Sequence, residues 1–143
     1  GSDYRRPRTQ MLGVRGYSGN SINHANSFFV PNHSPKVFVE GEVDMVCSAG
    51  YNPGRLARGW SLDEIDIRLV VTQLCVMDFG GPDHQLRLRS THPEVGIDQV
   101  RQATGFEIHV GDDVGTTPAP TEAQLALLAR LDPHGLRASA LGS

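Results

Sequence analysis

Lysine is almost missing from this chain: Lys36 is the one lysine among thirteen basic side chains. Cysteine is nearly as scarce. Cys47 and Cys75 are the only two, both in apolar or small-residue contexts, and read as free buried thiols of a reducing compartment rather than a disulfide. The six histidines and two cysteines show no tight ligand spacing, so no metal site is expected. No apolar run reaches the roughly 20 residues of a membrane span, and no charged-then-apolar signal opens the chain. The cytoplasm is the expected location. A net charge of −3 implies neither a nucleic acid nor a membrane partner.

What is present fits one domain with a modest core, since 143 residues suffice for that. Gly1-Ser2 has the form of a tag-cleavage scar and is set aside, leaving residues 3–143. The densest signal is Gly13-Val-Arg-Gly-Tyr-Ser-Gly-Asn-Ser-Ile-Asn-His-Ala25. Gly13, Gly16 and Gly19 suit a loop with close backbone approach, and Asn20 or Ser21 can cap a short helix behind it. Amide donors at a helix start beside Arg15 would receive an anion or a polarised carbonyl. The spacing matches neither a dinucleotide fingerprint nor a P-loop.

Periodicity predicts a short helix from Gly19-Asn20 to Phe29, broken by Pro31-Asn-His-Ser-Pro35, and a strand at Val37-Phe-Val39 that residues 43–46 continue. Residues 48–65 form a long polar loop, a length that is usually functional or covers a site. Strands are expected at Ile67–Thr72 and Leu74–Phe79, either as a pair or as one bent strand. A turn at Phe79–His84 precedes a half-buried strand at Gln85–Ser90. A helix over Ile97–Thr104 closes on Gly105 at the C′ position, followed by a strand at Phe106–Val110 and a connector over 111–120. Thr121-Glu-Ala-Gln124 is a capping box ahead of a helix ending at Asp132-Pro133. The pattern is mixed α/β, β-rich in the middle and without internal repeats. It opens on a glycine turn with no strand before it, so a preceding portion or a partner chain is expected to complete it.

Several residue groups admit two readings. Gly80-Gly-Pro-Asp-His84 is either a strand-ending turn or a pocket or interface lining in which Asp83 and His84 act. His24 reads more readily as a structural donor than as a base. Asp63-Glu64 reads as a solvated helix start. Tyr51 and Trp60 either cover a ligand or simply pack their loop.

Three blocks, taken in order, are similar to one family. They are Arg6-Pro-Arg-Thr-Gln-Met-Leu-Gly-Val-Arg-Gly-Tyr-Ser-Gly-Asn-Ser-Ile-Asn-His-Ala25, Val70-Val-Thr-Gln-Leu-Cys-Val-Met-Asp-Phe-Gly-Gly-Pro-Asp-His84, and His92-Pro-Glu-Val-Gly-Ile-Asp-Gln-Val-Arg-Gln-Ala-Thr-Gly-Phe-Glu107 with the helix after it. The chain resembles the C-terminal half of a β subunit of the class I coenzyme A-transferase superfamily. Within it, the similarity is greatest to the actinobacterial branch that hydrolytically opens a ring of steroid-derived acyl-CoA. The resemblance implies a three-layer NagB/RpiA-like α/β fold, present as a partial domain. It implies an α-type partner subunit and an N-terminal β portion. Coenzyme A enters as part of the substrate, with no permanently bound cofactor. Arg15 and the Gly16 amide are then expected to stabilise charge, with Gly13, Gly19, Asn20, Ser21, Asn23, His24, Asp83 and His84 lining the substrate. The transferases' Ser-Glu-Asn-Gly nucleophile motif does not occur in this chain. The hydrolases' acid/base glutamate belongs to the α subunit. True CoA transfer and a non-catalytic scaffold are the alternatives.

Overall fold

The β-branched residues of 67–78 become the centre of a five-stranded sheet. A computed structural model describes residues 15–43 and 46–140. The chain divides into two compact units, residues 1–25 with 45–66 and residues 26–44 with 67–143.

The second unit holds the sheet: β1 (Asn26–Val30), β2 (Ile67–Thr72), β3 (Cys75–Asp78), β4 (Arg87–Thr91) and β5 (His109–Thr116), ordered as they occur in the chain. β1 and β2 run parallel, as do β4 and β5, while β3 is antiparallel to both neighbours. Of the two readings of 67–79, the strand pair is the one that forms. Period-2 alternation sends Phe28, Val70, Cys75, Met77 and Leu88 to one face, where Phe38, Val100 and Ile108 cover them. Val100 comes from α2 (Ile97–Ala103), the crossover between the parallel pair β4 and β5.

Three expected elements are displaced. The helix expected over 19–29 occupies Arg15–Asn23 instead (α1), and residues 26–30 form β1. Phe-Phe-Val is a strong strand former, and ladder pairing with β2 outweighs the apparent helical spacing. Val37-Phe-Val39 forms no strand: the Ser34 carbonyl accepts from both the Val37 and Phe38 amides at 2.9 Å, and this turn drops Phe38 alone into the core. β5 runs to Thr116, through the expected connector. A register shift opposite Leu88–Ser90 absorbs its irregular middle, and the Thr117 amide donates to Thr91 O at 2.8 Å.

Gly105 occupies the expected C′ position, directly after the C-cap Thr104, without the positive φ of a left-handed cap. α2 closes at Thr104, and the Gly105 amide donates to Phe38 O at 2.7 Å. A Cβ at Gly105 would lie 2.5 Å from that oxygen, so close approach demands glycine there. α3 (Glu122–Leu131) carries the expected capping box, with Gln124 Oε1 accepting from the Thr121 amide at 2.8 Å. Past the stop, Asp132 accepts from the Leu136 and Arg137 amides and starts α4 (Leu136–Ala140).

In the first unit, α1 is accompanied by a loop ordered by two one-turn 3-10 helices, Pro53–Arg55 and Leu62–Glu64. Asn52 Oδ1 accepts from the Gly54 amide, Glu64 Oε2 accepts from the Ser61 amide at 2.7 Å, and Tyr51 donates to Ile65 O. The helix start read at Asp63-Glu64 is thus present as a single turn. Trp60 is 42% exposed. Among the described residues no helix is long and apolar enough to cross a membrane.

One buried polar group ties the second unit together. Thr104 Oγ1 donates to Val100 O at 2.8 Å and therefore accepts from His33 Nε2 at 2.9 Å. In the neutral ring His33 Nδ1 then carries the lone pair, with Thr72 Oγ1 at 3.1 Å and Cys75 Sγ at 3.7 Å beside it. Gln73 Oε1 takes the His33 amide at 2.8 Å, and the imidazole stacks on Phe38 with centroids 4.2 Å apart. Burial pushes the His33 pKa below its usual value by removing the charged ring from water. The unfolded chain therefore binds this proton first. Stability should be complete above about pH 6.5 and decline as pH falls below it, by at most ~1.4 kcal/mol per pH unit. Urea titrations between pH 5 and 8 check this: His33→Gln should be less stable than wild type at pH 8, and the gap should shrink toward pH 5.

Candidate functional site

The glycine-rich run is helical from Arg15 onward, which changes what its residues can offer. Gly16 lies in the first turn of α1, where the backbone N–H has no intrahelical acceptor. Asn20 and Ser21 sit in the body of the helix rather than at its N-cap position. Gly16, Gly19, Asn20, Asn23 and His24 are exposed, whereas Ser21 is buried. Asn23 Nδ2 donates to Gly19 O at 3.0 Å, and the His24 amide donates to Asn20 O at 3.2 Å, closing the helix. Gly13 lies outside the described residues, and Arg15 is placed through its backbone as the first residue of α1.

Asp83 and His84 belong to the second unit. They form, with Pro82, a single 3-10 turn between β3 and β4. Both adopt left-handed backbone, with φ 50° and 59°. Aspartate and histidine are among the residue types that tolerate this region best. Both residues are exposed. Beside the turn, Gln85, Arg101, Glu107, Ile108, His109 and Val110 line an open, mainly polar cleft of about 280 Å³.

The turn is held by a carboxylate that composition and spacing do not single out. Asp78, at the end of β3, accepts from the Gly80 amide (2.9 Å), from Arg87 Nε and Nη2 (3.0 and 2.8 Å) and from Arg89 Nη1 (2.9 Å). Partial burial works against its charge. The hydrogen bonds from Arg87, Arg89 and the Gly80 amide, with the Arg87 charge, outweigh that and hold Asp78 well below the usual carboxylate range. With four donors on two oxygens, Asp78 is an anchor and not a base. A signal for it exists in the sequence: Asp78 and Arg87 are cross-strand partners in a hairpin whose turn is itself legible.

A side chain at either glycine of the turn would meet a neighbour, the movable end of Arg87 at Gly80 and fixed backbone at Gly81. A Cβ on Gly80 would lie 2.7 Å from Arg87 Nη2, and one on Gly81 would lie 2.7 Å from Gln85 O and 3.3 Å from His109 Cβ. Among the described residues, no group of three or more His, Cys, Asp or Glu is placed to hold a metal ion.

No family model matches the chain. The fold is that of the CoA-transferase-like proteins. It superposes on the crystal structure of Rhodococcus jostii RHA1 IpdAB with a TM-score of 0.82 at 39% identity, over 99% of this chain and 57% of that one. It also superposes on glutaconate coenzyme A-transferase from Acidaminococcus fermentans with a TM-score of 0.73 at 24% identity, over 90% of this chain and 49% of that one. The chain is also similar to the IpdB subunit of cholesterol ring-cleaving hydrolases. It is 46% identical over 137 residues to the Mycobacterium tuberculosis subunit and 41% identical to that of Rhodococcus jostii, in each case over 93% of its own length. It spans about half the length of these relatives, 53% and 52%.

Two measurements check the turn. Gly81→Ala should lower stability by about 1–3 kcal/mol in urea, as overpacking against backbone does. Gly96→Ala, where a Cβ meets nothing within 4 Å, should stay within about 0.5 kcal/mol. Asp78→Asn should lower the unfolding midpoint at pH 7. Because the folded-state pKa is depressed, Asp78's contribution is present above the unfolded value of about 3.9 and is lost below it. The gap between wild type and variant should therefore narrow as pH falls under about 4.

Proposed function

We propose that this chain is one part of a heteromeric enzyme that opens a carbon ring of a cyclic-ketone acyl-CoA by hydrolysis, in steroid-type catabolism. The observation that carries this reading is the 46% identity, over nearly the whole chain, to a cholesterol ring-cleaving hydrolase subunit. An α-type subunit and the remaining part of the β-type subunit complete the enzyme. Coenzyme A is a portion of the substrate rather than a resident cofactor, and the cytoplasm is the compartment.

The chemistry is a retro-Claisen cleavage. Hydroxide, formed when a partner glutamate takes a proton from water, adds to the ring ketone carbon. The bond from that carbon to its ring neighbour then breaks, and its electron pair moves onto the neighbour as an enolate. Returning the proton to the enolate carbon leaves a ring-opened carboxylic acid, which ionises by giving its own proton to solvent. Each stage places negative charge on oxygen, which fixed amides and a guanidinium stabilise without reorganisation. Arg15 and the first-turn amide of Gly16 are assigned that role. Gly13, Gly19, Asn20, Ser21, Asn23 and His24 are assigned to the substrate wall, together with Asp83 and His84 on their turn. The position of Gly16 in the first turn of α1 supports this assignment.

CoA transfer between carboxylates is the second reading. It draws support from 27% identity to a subunit of the 3-oxoadipate CoA-transferase of Pseudomonas knackmussii. A single assay separates the two. The assembled enzyme is incubated with a cyclic β-diketone acyl-CoA in ¹⁸O-labelled water, with and without succinate. Ring opening should place one ¹⁸O in the new carboxylate independently of succinate. Formation of succinyl-CoA would establish transfer instead. Arg15→Ala should lower kcat by about 10²-fold or more, on the scale of losing one oxyanion donor. Full activity would assign this segment a scaffold role.

A further inference from the structure

The cleft beside the Gly80–His84 turn opens at the start of β5, the last strand of the sheet, and measures about 280 Å³. Its polar groups come from three segments. Arg101 stands in the last turn of α2, Gln85 precedes β4, and Glu107 and His109 flank the buried Ile108. The side chains of Gln85, Glu107 and His109 are exposed and hold no hydrogen bond or ion pair among the described residues. Arg101 has one bond, to Asp98 Oδ1 at 3.3 Å, and a pair between two exposed groups contributes little. A guanidinium, a carboxylate, an amide and an imidazole are thus available to one small space. None of the four belongs to the residues assigned above to the acyl-CoA substrate.

Charge and size select the occupant. Arg101 opposes a bare cation, and Glu107 opposes a bare anion such as phosphate. Among the described residues no Phe, Tyr or Trp lines the cleft to stack on a nucleobase, and its polar walls do not suit an acyl chain or a steroid ring. Its volume lies just under the roughly 300 Å³ at which pockets for drug-sized ligands begin. A small molecule with one charge of each sign fits. We infer that the cleft binds a free α-amino acid, with its carboxylate on Arg101, its ammonium on Glu107, and a polar side chain between Gln85 and His109. Such a ligand acts on the turn. A Cβ on Gly81 would lie 3.3 Å from His109 Cβ, and the Gly81 amide donates to Gln85 O at 3.1 Å. Holding Gln85 and His109 therefore steadies the backbone that presents Asp83 and His84.

The test records ¹⁵N–¹H correlation spectra of the full chain during titration with L-serine, ethanolamine and 3-hydroxypropanoate. All three carry the same hydroxyl, and each of the last two lacks one of serine's charges. L-serine should give saturable shifts at residues 85, 101 and 107–110, and the two analogues should bind at least tenfold more weakly. Arg101→Gln and Glu107→Gln should each weaken serine binding at least tenfold. Both side chains are exposed, and the dispersion of the same spectra shows whether each variant is folded. The Gly81 amide should exchange with solvent more slowly when serine is bound. Shifts that rise linearly or map elsewhere overturn the proposal, as does either analogue binding as well as serine, or serine binding unchanged in both variants. Unaltered exchange at Gly81 overturns the action on the turn. Binding is read without turnover, so a chain that binds serine but opens no ring refutes the proposed activity and leaves the cleft standing.

Discussion

The neutral imidazole of His33 is the interaction on which the second unit depends. It joins three segments far apart in the chain: the loop after β1, the β2–β3 hairpin through Thr72, and the end of α2 through Thr104. Its stacking partner Phe38 reaches the core from a turn and also receives the Gly105 amide. Hydrophobic burial alone would leave these segments free to slide, because apolar contact is non-directional. The directional contacts of the two ring nitrogens, Nε2 with Thr104 and Nδ1 with Thr72 and Cys75 Sγ, fix their register. Desolvation makes any unpaired group here costly, so the arrangement is all-or-none in character.

A second polar anchor works at the opposite end of β3. Asp78 gathers two arginines and a backbone amide, and thereby shapes the Gly80–His84 turn that presents Asp83 and His84. The residues that position this turn are therefore distinct from those it displays. Their own constraint is the left-handed backbone, φ 50° and 59°, that the turn imposes on them.

How much of this is legible in the sequence depends on the range of the interaction involved. Local chemistry is readable: the Thr121–Gln124 capping box, the turn after Phe79 and the β2–β3 alternation all rest on residues within a few positions of one another. Elements set by distant partners are not. Phe28 and Phe29 satisfy a helical spacing, yet the ladder with Val70 and Val71 makes them a strand. Gly105 looks like a helix cap, but its lack of a side chain answers to Phe38 O, far away in sequence. His33 stands within a stretch that reads only as a helix breaker, since its threonine partners lie 39 and 71 residues on. For the candidate site, composition picks out the glycine run and the Asp83–His84 turn, and it misses the Asp78–arginine anchor beneath the turn. The similarity to CoA-transferase-like subunits comes from block order, which integrates over the whole chain and is indifferent to such local errors.

The placement of Cys75 has a practical consequence. Its thiol is fully buried beside Thr72 and His33, and burial raises its pKa, so the reactive thiolate is suppressed twice over. Cys47, by contrast, is only half-buried and lies in the first unit. The chain thus carries two thiols of very different accessibility, one in each unit. An alkylating reagent that counts them by mass would label Cys47 from the native state and Cys75 only when the sheet opens. The protein contains its own clock for the unfolding of its core, with no probe needing to be engineered into it.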